Sequence, residues 1–349
     1  MFKVLDLFCG AGGMSIGAIE SGANEVFGVD LCRDSLRSYE RNTSLPAYRS
    51  VRSRHLRLDL IKESCQFSKI YFDLLVGGPP CQPFSNAGKG LGQLDERQGL
   101  NAFSHWVDVF KPKAFVMENV PGLLSSRHVS IVSSWLINRF GVNRLSCTKL
   151  ESLAKGPGAE LRGVRYQIYC KTLQCADYGV PQTRRRVFFV GVSNEFKGFQ
   201  YEWPASTHKD SRDREPLFSA HDQLPDWVPV SHVVDRLGPM NKERARRYAY
   251  GHNFRPGARI YKGHTGSSFT HPAKTIKAGV NGFPGGENCF RTRNGRIRYF
   301  TLAELSLLQG FPESAHFEGS FSSIAKQIGN AVPPVMVRLI TSNLVRVLI

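Results

Sequence analysis

The first half of the chain alternates short apolar runs with stretches long enough for a helix, and nearly every run stops at a glycine, a proline or an acid. Residues 2–8, 26–30, 56–59, 72–77, 114–118 and 187–192 are such runs. Short, mainly apolar runs bounded by turn residues read as buried strands, and strands spaced by helical segments predict a doubly wound, mostly parallel α/β sheet covered on both faces. Ligands of such sheets bind beyond the carboxyl ends of the strands. The polar residues of this chain that invite a chemical reading follow the runs at those ends.

From about Asn194 the texture changes. Residues 194–300 are rich in Pro, Gly, His and Arg with little periodicity, and 204–216 reads as loop. This predicts a second, smaller and more irregular domain. Order returns at Thr301-Leu-Ala-Glu304, a capping-box pattern, and Gly310 and Pro312 act as stop signals, so a helix is predicted at about 302–309. The stretch from Ala325 to Ile349 ends in apolar chain suited to a helix docked on a core.

Composition narrows the partners. Across 349 residues, 46 Lys and Arg stand against 29 Asp and Glu, a net charge of +17. Such an excess favours a polyanion, most simply nucleic acid. Between Lys242 and Lys262 seven cations face Glu243 alone, with Tyr248, Tyr250, Phe254 and Tyr261 interleaved; Arg291, Arg293, Arg296 and Arg298 form a second group. Eight cysteines without a CxxC pair argue against a zinc ribbon or a disulfide framework and for a reducing compartment, the cytoplasm. No apolar run is long enough to span a membrane, and the N-terminus lacks a secretory pattern.

Four segments carry the residues for chemistry. In Asp6-Leu-Phe-Cys-Gly-Ala-Gly-Gly-Met-Ser15 a strand enters a glycine-rich turn, which brings backbone close to a ligand at a helix N-terminus. Ser15 stands where a dinucleotide fingerprint counted from Gly10 needs glycine, which demotes a nicotinamide dehydrogenase. Asp30, 20 residues beyond Gly10, closes the next strand where an acid can take ribose hydroxyls, and Asp59 closes the one after. In Gly77-Gly-Pro-Pro-Cys81-Gln-Pro-Phe-Ser85 two prolines hold the chain extended before a thiol. Glu118-Asn119 follows a strand 37 residues later, about one strand–helix–strand unit, so the thiol and the carboxyl sit side by side if their strands are neighbours. In Gln182-Thr-Arg184-Arg185-Arg186 alternation aims Arg184 and Arg186 to one face. The bland alternatives are tight turns, a strand-end polar pair and a solvated basic edge.

Taken in order, these segments resemble a DNA (cytosine-5)-methyltransferase of the bacterial restriction–modification type. The series runs from residues 6–15 through 77–85, Asp95-x-Arg97-x-x-Leu100, 118–120 and 182–186, then resumes at 301–312 and at Gln327-Ile-Gly-Asn330-Ala-Val-Pro-Pro334. The resemblance covers about two-thirds of the chain. It implies a Rossmann-like S-adenosylmethionine-dependent methyltransferase sheet in residues 1–192, completed by about 320–349. A target-recognition domain would occupy 193–300 and a hinge with a connecting helix 301–319. It further implies that Phe8, Gly10 and Gly12 cradle S-adenosylmethionine, with Asp30 on the ribose, Asp59 on the adenine amino group, Leu60, Pro80 and Leu100 lining the pocket and Asn330 closing it. Asp30 departs from the Glu of many relatives. Cys81 would be the nucleophile, Glu118 the contact to ring nitrogen 3 and the amino group, Arg186 the contact to the ring carbonyl, and Arg184 a support for the Cys81 loop. The implied partner is double-stranded DNA, bound by a monomer with the target cytosine flipped out. The alternatives are a transfer-RNA methyltransferase and a catalytically silent DNA-binding regulator.

Overall fold

A computed structural model describes residues 1–61, 70–80, 94–142, 159–212, 223–240, 248, 251–262, 265–278 and 288–349. Its centre is an eight-stranded sheet of β1 (Phe2–Leu7), β2 (Ala23–Asp30), β3 (Arg52–Arg57), β4 (Leu74–Gly77), β5 (Ala114–Asn119), β6 (Ala159–Arg162), β7 (Tyr166–Gln174) and β9 (Arg185–Ser193); β8 (Gln182–Thr183) lies outside it. The spatial order is β3-β2-β1-β4-β5-β9-β7-β6. The first five strands are parallel, while β9 pairs antiparallel with both β5 and β7. The strand order reverses between β1 and β4, so the crevice expected to take a ligand opens where those two strands end.

The helices follow the pattern expected of crossovers: α1 (Gly13–Glu20), α2 (Arg33–Thr43), α3 (Leu94–Phe110) and α4 (Val129–Phe140). Beyond the sheet come α5 (Val230–Leu237), β10 (Ala273–Lys274), the β11 (Cys289–Arg291) and β12 (Ile297–Tyr299) hairpin, then α6 (Leu302–Leu308), α7 (Phe321–Asn330), α8 (Pro334–Ser342) and α9 (Val345–Leu348). Two apolar clusters cover the two faces of the sheet. One joins Leu5, Leu7, Phe115 and Phe189 to Trp106 and Trp135. The other joins Val4, Val76 and Phe188 to Ile16, Met336 and Val337, and continues without a break into Val233, Ala273, Phe290 and Leu305.

Most of the predicted strands stand where the apolar runs are, with two corrections. The third strand is Arg52–Arg57 rather than 56–59; as an edge strand it presents mostly charged, exposed side chains and has no apolar run to announce it. Strands β6 and β7 escaped the sequence reading because Tyr166–Gln174 mixes Gln, Lys and Thr with its buried residues. The capped helix is present as predicted. The Thr301 hydroxyl accepts from Glu304 N at 3.2 Å, and the Glu304 carboxylate accepts from Thr301 N at 2.8 Å. Residues 325–349 fall in three helices instead of one: Pro333 and Pro334 separate α7 from α8, and a second break at Asn343 and Leu344 separates α8 from α9.

Helix α8 lies directly on α1, and glycine makes the approach possible. A Cβ on Gly17 would stand 2.3 Å from the Pro334 carbonyl oxygen, and one on Gly13 would stand 2.4 Å from that of Val332. The segment joining α7 to α8 is thereby pressed against the turn that follows β1.

Candidate active site at the carboxyl edge of the sheet

The turn after β1 is wound tightly. Phe8 has φ 58, a left-handed conformation that costs a side-chain-bearing residue about 1–3 kcal/mol, and Gly10 and Gly12 follow with φ 53 and 91. A Cβ at Gly10 would meet nothing within 4 Å, so open space lies over this turn. Asp30, at the end of β2, fastens it: its Oδ2 accepts from Gly10 N at 2.9 Å and its Oδ1 from Cys32 N at 2.8 Å. A carboxylate has about four acceptor positions, so two remain for a ligand.

Beneath the turn is an acid to which the sequence reading gave no role. Asp6 is fully buried, and its Oδ2 accepts from both Ser15 N (3.1 Å) and Ser15 Oγ (2.7 Å); Ser15 Oγ also lies 3.0 Å from the Tyr39 hydroxyl. Oδ1 is buried without a partner. Burial raises the Asp6 carboxyl to about 7, with a smaller push from the charge of Asp30, against the two bonds from Ser15. Its place as the first letter of the glycine-turn motif was the available signal.

The adjoining wall is apolar. Phe8, Leu60 and Leu100 belong to one cluster. Trp106 Nε1 donates to the Leu60 carbonyl at 3.4 Å and Trp135 Nε1 to that of Leu100 at 3.1 Å. Gly99 lets α3 close on the loop after β4, since a Cβ there would be 2.9 Å from the Pro80 carbonyl oxygen. Pro80 and Leu100 are thus neighbours. Asp59 lies two residues beyond β3, its Oδ1 accepting from Ile61 N at 3.1 Å in a local turn.

Next to this wall the sheet supplies a charged pair. β4 and β5 are parallel neighbours with Gly77 opposite Met117, so Gly78 and Glu118 are level at the carboxyl edge. A Cβ on Gly78 would be 3.6 Å from Glu118 Oε2 and 3.8 Å from Val332 Cγ2. Because β9 runs antiparallel to β5, the start of β9 reaches the same edge. There Arg186 Nε stands 2.9 Å from Glu118 Oε1, with both side chains nearly buried. The N–H is not aimed along that contact, and Oε1 is left buried without a hydrogen-bond donor. Asn119 Nδ2 reaches the Pro79 carbonyl at 3.4 Å, a further tie between this pair and the proline loop. Cys81 itself lies outside the described residues, as does the rest of 81–93.

Arg184 is fully buried, Arg185 is exposed and Arg186 is mostly covered, the alternation expected of the run. Arg184 Nη1 and Nη2 donate to the carbonyls of Gly329 and Ala331, each at 3.1 Å. Burial lowers its guanidinium to about 9, helped by repulsion from Arg186 and opposed by Glu118. The expected contact of Arg184 with the Cys81 loop falls outside the described residues. Asn330, between the two carbonyls that Arg184 holds, is exposed at the end of α7.

The basic region splits. Arg298 is turned inward, ion-paired with Glu304 at 2.6 Å and lying 4.3 Å over the Phe290 ring. Arg255 lies 4.1 Å over the Phe321 ring. Arg259, Phe254 and Tyr261 are exposed along a stretch without regular structure. Residues 241–247, with four of the predicted cations, lie outside the described residues. Among the described residues no cluster of three or more His, Cys, Asp or Glu could hold a metal, and no helix is long and apolar enough to cross a membrane.

Comparison with known proteins agrees with this arrangement. The family model of C-5 cytosine-specific DNA methylase matches residues 2–140 and 142–346. Type II methyltransferase M.AplI of Arthrospira platensis is 28% identical over 342 residues, spanning 97% of this chain and 84% of the relative. Type II methyltransferase M.AquIA of a Picosynechococcus species is 32% identical over 241 residues, 68% of this chain and 89% of the relative. Among solved structures, a putative DNA modification methyltransferase from an Escherichia coli prophage superposes with TM-score 0.59 at 20% identity, covering 100% of this chain and 99% of that one. A DNMT2 variant from Spodoptera frugiperda gives 0.62 at 19% identity with the same coverage. At that identity these structures speak for the fold. The family match, spanning nearly every residue, together with a carboxylate–guanidinium pair beside a glycine-turn crevice, makes this chain a member of the C-5 cytosine-specific DNA methylase family.

Proposed function

We propose that the protein methylates carbon 5 of a flipped-out cytosine within a specific duplex DNA sequence, using S-adenosylmethionine, as the protective half of a restriction–modification pair. The observation that carries the reading is Glu118 Oε1, a buried acceptor with no hydrogen-bond donor, next to Arg186. Buried polar atoms in native proteins are rarely left unmatched without a role. Cytosine offers the complement: an exocyclic amino group for the carboxylate and a ring carbonyl for the guanidinium. Uracil and thymine, with oxygen at position 4, would set a lone pair against that acceptor.

The crevice suits S-adenosylmethionine by its own features. Open space lies above Gly10, the free acceptor positions of Asp30 can take ribose hydroxyls, and Phe8, Leu60, Pro80 and Leu100 offer an apolar wall, with Asp59 for the adenine amino group and Asn330 at the C-terminal side. Gly12 supports the turn with its left-handed backbone. When bound, this donor supplies an electrophilic methyl group on a sulfonium. The protein's part is to make an unreactive carbon attack it. The Cys81 thiolate adds to carbon 6, forming the S–C bond and pushing an electron pair toward carbon 5, while nitrogen 3 takes a proton through Glu118, whose carboxylate also accepts from the amino group. After methylation, loss of the carbon-5 proton and expulsion of the thiolate restore the ring. A stacked base cannot be reached by the thiol, so the nucleotide must leave the duplex, at a cost of a few kcal/mol. Contacts from the basic surface to phosphates offset that cost.

The test is bisulfite sequencing of DNA from cells expressing the chain, with purified enzyme offered a plasmid and a transfer-RNA pool side by side. Protection of cytosines at one recurring DNA sequence supports the reading; label entering only RNA overturns it. A Cys81→Ser variant should lose turnover and keep DNA binding, and 5-fluorocytosine in the target should trap a protein–DNA adduct. Full turnover by that variant would refute the thiol route.

A further inference from the structure

Between the proposed base pocket and the proposed methyl-donor pocket lies one short stretch of chain, 329–332. One side of it is pressed on Gly13, at the start of α1, through the Val332 carbonyl, and Val332 Cγ2 faces Gly78 beside Glu118. Its other side is held by buried polar side chains, two of them glutamines that have been given no role so far and the third Arg184. Arg184 donates to the carbonyls of Gly329 and Ala331. Gln309 Nε2 donates to the same Ala331 carbonyl. Gln309 is itself fixed by Gln182, whose Nε2 donates to Gln309 Oε1 at 2.8 Å and to the Leu308 carbonyl at 3.1 Å, and whose Oε1 accepts from Ile276 N at 2.9 Å. Gln182, Arg184 and Gln309 are all at most 1% exposed.

The physics of the helix end explains why a buried arginine is tolerated here without a carboxylate of its own. The carbonyls at the end of α7 have no partners within the helix and carry its partial negative charge, so a guanidinium there satisfies them and meets favourable potential. Three donors on two carbonyls fix the 329–330 and 331–332 peptides, and with them the position of Asn330. A loose coil would leave both the Asn330 side chain and the Val332 carbonyl free to shift against the glycine turn.

We propose that Gln182, Arg184 and Gln309 form a buried latch that sets the position of residues 329–332, and through them the affinity for the methyl donor. This rests on the functional reading above. They are positioning residues: the latch acts on the donor side through the backbone, while DNA affinity is set elsewhere. The prediction is therefore asymmetric.

The experiment measures binding of S-adenosylhomocysteine and of a target duplex by calorimetry, for the full chain and for Gln309→Met and Arg184→Lys. The expected result is about a tenfold weaker Kd for S-adenosylhomocysteine in each variant, with the duplex Kd within about twofold of the parent. Cofactor-analogue affinity unchanged in both variants, or a loss confined to DNA, overturns the latch. Hydrogen exchange on the unaltered protein covers the case of variants that fold poorly: adding S-adenosylhomocysteine should slow exchange in peptides spanning 327–333, and unchanged exchange there counts against the proposal. If the parent protein binds no S-adenosylhomocysteine at all, the functional reading fails and takes the latch with it; binding by the parent with indifferent variants sinks the latch alone.

Discussion

Replacing Asp6 by Asn should change how stability depends on pH, by an amount the site itself sets. A free aspartate titrates near 3.9, and burial holds the Asp6 carboxyl at about 7. Cys9 and Tyr39, both buried around it, and Asp30 above it offer no cation to compensate; only Ser15 donates. A carboxyl raised in the folded state contributes stability that is fully present below about pH 4 and lost as the pH climbs to about 7. With each pH unit worth about 1.4 kcal/mol, the loss amounts to about 4 kcal/mol. Asn has nearly the same shape, keeps an oxygen for Ser15 and does not ionise. The stability of the parent minus that of Asp6→Asn should therefore fall by about 4 kcal/mol between pH 4 and pH 8 and stay flat above. Urea unfolding followed by the fluorescence of the buried Trp106 and Trp135 measures it, and taking the difference removes every other titrating group and any constant cost of the amide. A difference that rises with pH would mean that the two Ser15 bonds outweigh burial, and the argument would be wrong in sign.

Two smaller perturbations test the packing that frames the site. Gly17→Ala gains about 1 kcal/mol in helix propensity but puts a methyl 2.3 Å from the Pro334 carbonyl oxygen. Backbone overpacking costs about 1–3 kcal/mol, so the melting temperature should drop; a rise would show that α8 yields freely. Thr301→Ala removes the N-cap of α6 and the 3.0 Å contact with His252, for a loss of about 1–2 kcal/mol in denaturant unfolding. Thr301→Ser should recover most of it, and equal losses in both would point to the methyl group instead of the hydroxyl.

Much of the sheet could be read directly because its central strands are buried on both faces and so are uniformly apolar, as at 74–77 and 114–117. The flanks were harder for the same reason inverted: β3, at one edge, and β7, next to the other, bury only part of their surface and carry Arg, Gln and Lys. Counting one strand–helix–strand unit from Cys81 to Glu118 anticipated that their strands are neighbours, as β4 and β5 are, although Cys81 itself lies outside the described residues. What spacing could not supply was direction. The antiparallel course of β9 is what brings Arg186 to Glu118, and nothing local in Gln182–Arg186 announces it. Alternation correctly put Arg184 and Arg186 on one side, yet only the folded chain shows them meeting different partners, a helix end and a carboxylate. The inward turn of Arg298 was equally hidden, since Glu304 doubles as the reciprocal half of a helix cap.

The contact between α1 and α8 has a consequence for how the molecule is made. Residues 334–342 are synthesised long after α1, and until they emerge, the face of α1 around Gly17 lacks the helix that packs on it. The glycine turn that α1 supports therefore gains its last packing partner only after α8 has been made, however early β1 and β2 pair. A ribosome stalled shortly before Pro334 would carry a nascent sheet with one uncovered side, a species prone to stick to others of its kind. The packing around α1 is complete only once α8 has docked.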